Sequence, residues 1–148
     1  MNFVVKNFDE LTKEELYKIL KIRSQIFIVE QGMRCQDMDN VDFNARHYYL
    51  KQGGEIVAYL RAFYTNDTTV RIGRVLSATH GIGLGTKIMT KAIADIKQNM
   101  KCIKICLDSQ THAIAFYEKL GFKTVSNEFL EEGVMHVKME LRIYFLIY

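Results

Sequence analysis

Apolar and polar residues alternate with a period of two along the middle of the chain, which indicates β-strands. The alternating runs cover residues 47–51, 55–64 and 69–77. Turns at Gly53-Gly54 and Asn66-Asp67 separate them, so we predict three strands in an antiparallel meander. Shorter apolar runs predict further strands at residues 3–5, 102–107, 123–126 and 134–141.

Three other segments have the spacing of amphipathic helices. Thr12 and Glu15 match a capping box, and the apolar residues after them predict a helix that continues to about Val29. Further helices are predicted at residues 84–97 and 111–120. The predicted order is β-α-β-β-β-α-β-α-β-β, in a single domain that spans residues 1–148.

A glycine-rich loop, residues 80–86 (HGIGLGT), joins the last meander strand to the second helix. Glycine lets a ligand approach the backbone closely, and a helix N-terminus offers unpaired N–H groups at the positive end of its dipole. The loop therefore predicts a phosphate or pyrophosphate site. Its spacing differs from the dinucleotide fingerprint and from the P-loop, and a turn that binds nothing is the alternative.

Composition and charge narrow the classes of partner. The 148 residues are 49% hydrophobic and 25% charged, with a net charge of +3, so we expect neither nucleic-acid binding nor a membrane span. The first ten residues do not resemble a signal peptide. The apolar end, residues 143–148, predicts a last strand or an oligomer contact, and hence a possible homodimer.

The three cysteines, Cys35, Cys102 and Cys106, form no paired spacing. This pattern argues against a disulfide framework or a zinc site, so we expect no metal and a cytoplasmic location.

Three groups of motifs resemble the GNAT acetyltransferase superfamily, and its ElaA-like subgroup in particular. The loop 80–86 is similar to motif A, with Gly83 and Gly85 at its two glycine positions, and residues 116–122 (FYEKLGF) are similar to motif B. The subgroup is indicated by segments 22–31, 36–39, 71–75 and 131–136.

This resemblance implies a GNAT fold, an α/β (α+β) domain with a mixed, mainly antiparallel, twisted sheet of about six to seven strands flanked by helices. It also implies acetyl-coenzyme A as co-substrate and no metal. The residues that would bind the coenzyme are Val75, Leu76, Ser77, His80, Gly81, Ile82, Gly83, Leu84, Gly85, Thr86, Ser109, Gln110 and Phe116. Two departures stand out: His80 replaces the usual arginine or glutamine, and the connection from Arg74 to His80 is about two residues short.

Acetyl transfer to an amine requires a base for the amine and an acid for the departing thiolate. By its place in motif B, Tyr117 is the expected acid, with a packing role as the alternative. Glu30 is the expected base, although a structural ion pair with Arg23 or Arg74 is equally compatible with its position. His136 and His47 are alternative bases, and His136 ranks higher because it matches the subgroup.

Arg23, Phe27 and His136 are the expected acceptor-binding residues. Arg23 lies on the apolar face of the first helix, so it either lines the acceptor site or pairs with Asp37 or Asp39. The acidic loop 37–42 would favour a cationic acceptor, but its charge is better explained by a solvated surface loop.

The resulting hypothesis is an N-acetyltransferase that moves the acetyl group of acetyl-coenzyme A to a small-molecule or peptide amine. A non-catalytic coenzyme A-binding module is the main alternative. An acyl-homoserine-lactone synthase ranks lower, because those proteins share the Arg-x-x-x-Phe pair of Arg23 and Phe27 but lack the glycine loop.

Overall fold

The computed structural model describes residues 1–143, in which eight strands form one mixed sheet. The strands are β1 (Asn2–Asn7), β2 (Arg46–Gln52), β3 (Glu55–Asn66), β4 (Thr69–Ser77), β5 (Lys104–Gln110), β6 (Lys123–Thr124), β7 (Phe129–Glu131) and β8 (Val134–Arg142). The sheet order is β1-β2-β3-β4-β5-β8-β6, with β7 also paired to β8. The pairing of β4 with β5 is parallel and the other pairings are antiparallel, as the mixed, mainly antiparallel fold class requires.

Three α-helices cover the sheet: α1 (Lys13–Arg23), α2 (Leu84–Asn99) and α3 (Ile114–Lys119). The predicted capping box begins α1, since Thr12 Oγ1 accepts from the Glu15 N–H and Glu15 accepts from the Thr12 N–H. None of the helices within residues 1–143 is long and apolar enough to cross a membrane.

The first helix differs from its prediction in its last turns. From Ser24 to Glu30 the chain forms a π-helix, whose hydrogen bonds reach five residues back, as from the Gln31 N–H to the Ile26 carbonyl (3.0 Å). A helical period of 3.6 residues would place Glu30 on the face of Ile26 and Phe27. In the wider turn, Gln31 takes the position next to Ile26 that Glu30 would have in an α-helix. This difference determines which of the two side chains reaches the site.

Alternation along the strands divides the core between the two faces of the sheet. Tyr48 and Leu50 pack with α2 and α3 in the larger cluster, whereas Tyr49 packs with α1 and the π-helix in the smaller one. The strand β7 was not predicted, because its three residues are too few to show a period. Ile143 is buried, and the rest of the apolar tail, residues 144–148, lies outside the described residues.

Candidate active site

A cleft opens where β4 and β5 diverge. Their parallel pairing is confined to Thr69–Arg71 of β4 and Lys104–Cys106 of β5. Beyond it, β4 is bent by a bulge in which two residues, Arg74 and Val75, oppose one residue of β3, and Arg74 takes a left-handed φ of 55°. The bulge turns the strand away and leaves backbone groups of β4 facing a cleft of about 830 Å³.

The glycine loop forms one end of this cleft, and its glycines have different reasons to be there. Gly81 and Gly83 adopt φ angles of 82° and 79°, and Gly83 is the residue from which α2 begins. Gly85 has an ordinary φ but little room, because a Cβ there would lie 3.3 Å from the Phe116 ring. The first N–H groups of α2 are therefore presented beside a backbone that no side chain shields.

Most of the predicted coenzyme-binding residues line the cleft. They are Val75, Leu76, Ser77, His80, Gly81, Gly83, Leu84, Gly85, Thr86, Gln110 and Phe116. Two predicted members do not. The side chain of Ile82 is 65% exposed and lies outside the cleft wall, and Ser109 is buried, with its hydroxyl donating to the Gln110 carbonyl (2.8 Å). Strand alternation explains Ser109, since Asp108 and Gln110 face the cleft.

Tyr117 lies in the cleft wall on α3, next to the glycine loop. Its ring is held edge-on between Phe116 (centroids 5.0 Å apart) and Phe122 (6.0 Å). Burial raises the pKa of Tyr117 to about 12, which keeps the phenol protonated at neutral pH. The ring is thus fixed in orientation and holds a proton that it can donate.

Three arginines and three aspartates form an ion-pair network beneath the other end of the cleft. The pairs are Arg23–Asp37 (3.1 Å), Arg23–Asp42 (2.7 Å), Arg61–Asp39 (2.6 Å), Arg61–Asp42 (3.0 Å), Arg74–Asp37 (2.9 Å) and Arg74–Asp39 (3.3 Å). Burial opposes the ionisation of Asp39, but Arg61 and Arg74 outweigh it and lower its pKa to about 2. These pairs neutralise the acidic loop, so it is not a free surface for cations.

Arg23 belongs to this network and not to an acceptor site. Its side chain is fully buried, does not line the cleft and is saturated by Asp42 and Asp37. Of the two predicted alternatives, the structure shows the pairing with Asp37, and Asp42 joins it, because a guanidinium on the apolar face of a helix is stable only when paired there. Phe27, four residues on, does line the cleft.

Glu30, the expected base, does not lie on the cleft wall either. It is exposed and does not line the cleft, because the π-helix turns it outward and brings Gln31 to the wall instead. Its predicted ion pairs are absent among the described residues too, since Arg23 and Arg74 pair with the aspartates. The structure thus gives Glu30 no contact with the cleft wall, whereas the alternative base His136 lies on that wall.

His136 lies in the cleft wall and is 5% exposed. Its Nδ1 is 2.8 Å from the Val134 carbonyl, which can only accept, so Nδ1 carries the hydrogen of the neutral ring. Nε2 then has a free lone pair, with Glu131 Oε2 3.8 Å away. His47, by contrast, is fully buried between Tyr59 (2.7 Å) and the Asp42 carbonyl (3.0 Å).

Several residues on the cleft wall had no predicted role. They include Gln31, Met33, Cys35, Arg61, Arg71, Asp108, His112, Glu131 and Glu132. Arg71, Glu131 and Glu132 lie in segments that resemble the ElaA-like subgroup. The resemblance therefore pointed to these segments, but it assigned no chemical role to the three residues. Within residues 1–143, no group of three or more histidines, cysteines, aspartates and glutamates could hold a metal ion.

Comparisons with known proteins agree with this geometry. The sequence model of the acetyltransferase (GNAT) domain matches residues 11–143. A UPF0039 protein of Schizosaccharomyces pombe is 37% identical over 147 residues, covering 97% of this chain and 98% of that one. The crystal structure of Escherichia coli ElaA superposes with a TM-score of 0.90 at 29% identity, covering 95% and 99% of the two chains.

A crystal structure of an acyl-CoA N-acyltransferase from Pseudomonas aeruginosa superposes with a TM-score of 0.89 at 30% identity, over 95% of this chain and 99% of that one. Sequence and fold thus lead to the same assignment along nearly the whole chain. The chain therefore belongs to the GNAT acetyltransferase family and is an acyltransferase.

Proposed function

We propose that this protein transfers the acetyl group of acetyl-coenzyme A to an amine nitrogen of a small molecule or peptide, by direct attack in a ternary complex. The observation that carries the proposal is that the glycine loop, Tyr117 and His136 line one cleft. One end of the cleft can bind an anionic carrier, and the other end offers a base.

The residues of the coenzyme end fit a long phosphorylated thiol. The pyrophosphate would accept hydrogen bonds from the N–H groups of residues 81–86 at the start of α2, where the helix dipole favours negative charge. The pantetheine arm would pair with the free backbone edge of Val75, Leu76 and Ser77.

The chemistry follows from two proton positions. Nε2 of His136 accepts a proton from the amine, and Glu131 stabilises the resulting positive charge. The neutral amine nitrogen then bonds to the acetyl carbon while the carbon–sulfur bond breaks, and the second proton that the nitrogen gives up restores the phenol of Tyr117 after that phenol has protonated the sulfur. Tyr117 donates its proton to the departing sulfur, and a backbone N–H of the β4 edge polarises the acetyl oxygen.

Coenzyme binding is tested first. Saturating acetyl-coenzyme A, at about 100 times its dissociation constant, should stabilise the fold by about 2.7 kcal/mol, which thermal unfolding measures as a higher Tm. Absence of any shift would contradict the proposal. Thiol release is then followed with a panel of amines, and binding without release from any amine would favour the non-catalytic module.

The role of Tyr117 is tested with Tyr117→Phe, which removes the hydroxyl and keeps the packing. We expect kcat to fall about 100-fold, with little change in coenzyme affinity. Tyr17→Phe is the control, since Tyr17 is 70% exposed on α1. Unchanged turnover in Tyr117→Phe would leave this tyrosine a packing role only.

A further inference from the structure

Positive and negative side chains of the cleft wall pair with one another along most of its length, but not at the β7–β8 turn. Asp37 and Asp39 are paired within the arginine–aspartate network, and Arg71 pairs with Asp108 (2.5 Å). No arginine of the wall is left without a carboxylate, because Arg61 and Arg74 also belong to the network. An anionic acceptor would therefore find no free guanidinium here.

Glu131 and Glu132, at the turn between β7 and β8, are the wall carboxylates that remain. Among the described residues neither pairs with an arginine or lysine, and the nearest basic group to Glu131 is the His136 ring at 3.8 Å. Cys35 and Glu132 both line the cleft, and the charge of Glu132 acts on the Cys35 thiol. Burial raises the pKa of Cys35, Arg74 partly offsets the rise, and Asp37 and Glu132 add to it. The acceptor end thus carries two uncompensated negative charges.

His136 marks where a ligand meets these carboxylates. The ring is 5% exposed and lines the cleft, and its Nε2 lies 3.8 Å from Glu131 Oε2 without a hydrogen bond to any of residues 1–143. Since Nδ1 already donates to the Val134 carbonyl, Nε2 is the ring nitrogen that is left for a ligand atom. The nitrogen that reacts would bind at Nε2, so the carboxylates lie within reach of a neighbouring part of the same acceptor.

We infer that the acceptor is an aliphatic amine that carries a second positive charge, as in a diamine, with the second cation held by Glu131 and Glu132. This inference rests on the proposed acetyl transfer and adds a substrate class to it. The reacting nitrogen loses its proton to His136, while the distal ammonium keeps its charge between the two carboxylates. Charge-assisted hydrogen bonds of this kind give the acceptor both affinity and orientation.

The test compares acceptors of one chain length and different charge: 1,5-diaminopentane, 1-aminopentane and 5-aminopentanoate, together with the shorter 1,3- and 1,4-diamines. We expect kcat/KM for the best diamine to exceed that for its monoamine about tenfold, and the aminocarboxylate to be the poorest. The preference should shrink at high salt, since the carboxylates are partly exposed. Equal use of all three charge classes would overturn the inference.

Glu132→Asn is the informative variant. Glu132 has a left-handed φ of 51° and precedes Gly133 with φ 76° in a two-residue turn, where asparagine is favoured over glutamate. The variant should therefore fold at least as well while it loses the charge. We expect its ratio of diamine to monoamine kcat/KM to fall about fivefold, and that of Glu131→Gln/Glu132→Asn to approach one.

Glu128→Gln is the matched control, an exposed carboxylate before β7 that does not line the cleft, and its ratio should equal that of the wild type. A ratio unchanged in the double variant would overturn the inference. If acetyl-coenzyme A binds but no amine is turned over, calorimetry measures the binding of 1,5-diaminopentane to the coenzyme A complex. Binding that Glu132→Asn weakens would support the inference, and absence of binding would overturn it. Failure of the whole acetyl transfer is recognised separately, by the absence of a thermal shift with acetyl-coenzyme A.

Discussion

The two ends of the cleft differ in the groups that form them: backbone forms one end, and charged side chains form the other. The coenzyme end consists of backbone: two glycines with left-handed φ, one glycine pressed against Phe116, and the first turn of α2. The acceptor end is supported from beneath by charged side chains that come together from α1, the loop after the π-helix, β3 and β4. A backbone site depends on local conformation, whereas a side-chain site depends on long-range pairing.

The difference explains what each end can change. In the proposed binding mode the ligand is held by N–H groups of the loop, so the replacement of arginine or glutamine by His80 removes no backbone contact. The acceptor end has no such freedom beneath its surface, since removing one charge of the network leaves another buried and unpaired. Its free carboxylates at the β7–β8 turn are outside the network, which leaves them available to a substrate.

The largest expected effect comes from the network. Asp42→Ala leaves Arg23 and Arg61 with one fewer carboxylate in a buried setting, and we expect a loss of about 3 kcal/mol in the free energy of unfolding. Urea denaturation measures it. Asp67→Ala, at an exposed turn, is the control and should change little. A loss in Asp42→Ala no larger than in the control would show that the network does not hold the acceptor end.

His136→Ala tests whether the two ends can be separated functionally. It should lower kcat about 100-fold through loss of the base, while coenzyme affinity stays close to that of the wild type. Steady-state kinetics and coenzyme titration give the two readouts. His112→Ala is the control, because His112 also lines the cleft but is exposed and bound to Gln110. Equal effects of the two variants would remove His136 from the proton transfer.

Gly83→Ala should affect the coenzyme end alone. A Cβ at φ 79° is strained, and relief of that strain would turn the first N–H groups of α2 away from the ligand, so we expect about tenfold weaker coenzyme binding. Gly54→Ala has a comparable φ of 80° in the β2–β3 turn, outside the cleft wall. It should cost similar stability and leave binding unchanged. Weaker coenzyme binding in both variants would trace the effect to stability and not to the loop.

Acid should reduce the contribution that Asp39 of the acceptor end makes to stability, and this is the smallest of the expected effects. Burial opposes and Arg61 and Arg74 favour the ionised Asp39, with a net pKa of about 2 against an ordinary 3.8. A lowered pKa contributes stability that is present above the ordinary value and is lost as pH falls through the lowered one. Between about pH 4 and pH 2, Tm should therefore fall less steeply in Asp39→Asn than in the wild type. Parallel Tm curves would contradict the assignment.

The sequence pattern was sufficient for much of the fold. The period of two in residues 47–77 corresponds to β2, β3 and β4, and the capping box at Thr12 begins α1 as predicted. These features depend on neighbours in sequence. The three-residue β7 and the π-helix escaped prediction, the first because it is too short and the second because its apolar residues fit a 3.6 period almost as well.

The site divides in the same way. By itself the sequence determined the family, the glycine loop and the residues beside it, because backbone conformation and helix starts are encoded locally. Only the tertiary structure decided that Arg23 is a buried partner of Asp42 and that Glu30 faces solvent. It also decided that His136 meets Glu131 at the cleft. The set of side chains that share a cavity depends on the pairing of distant strands and on the change from α-helix to π-helix. The spacing of residues along the sequence predicts neither of these.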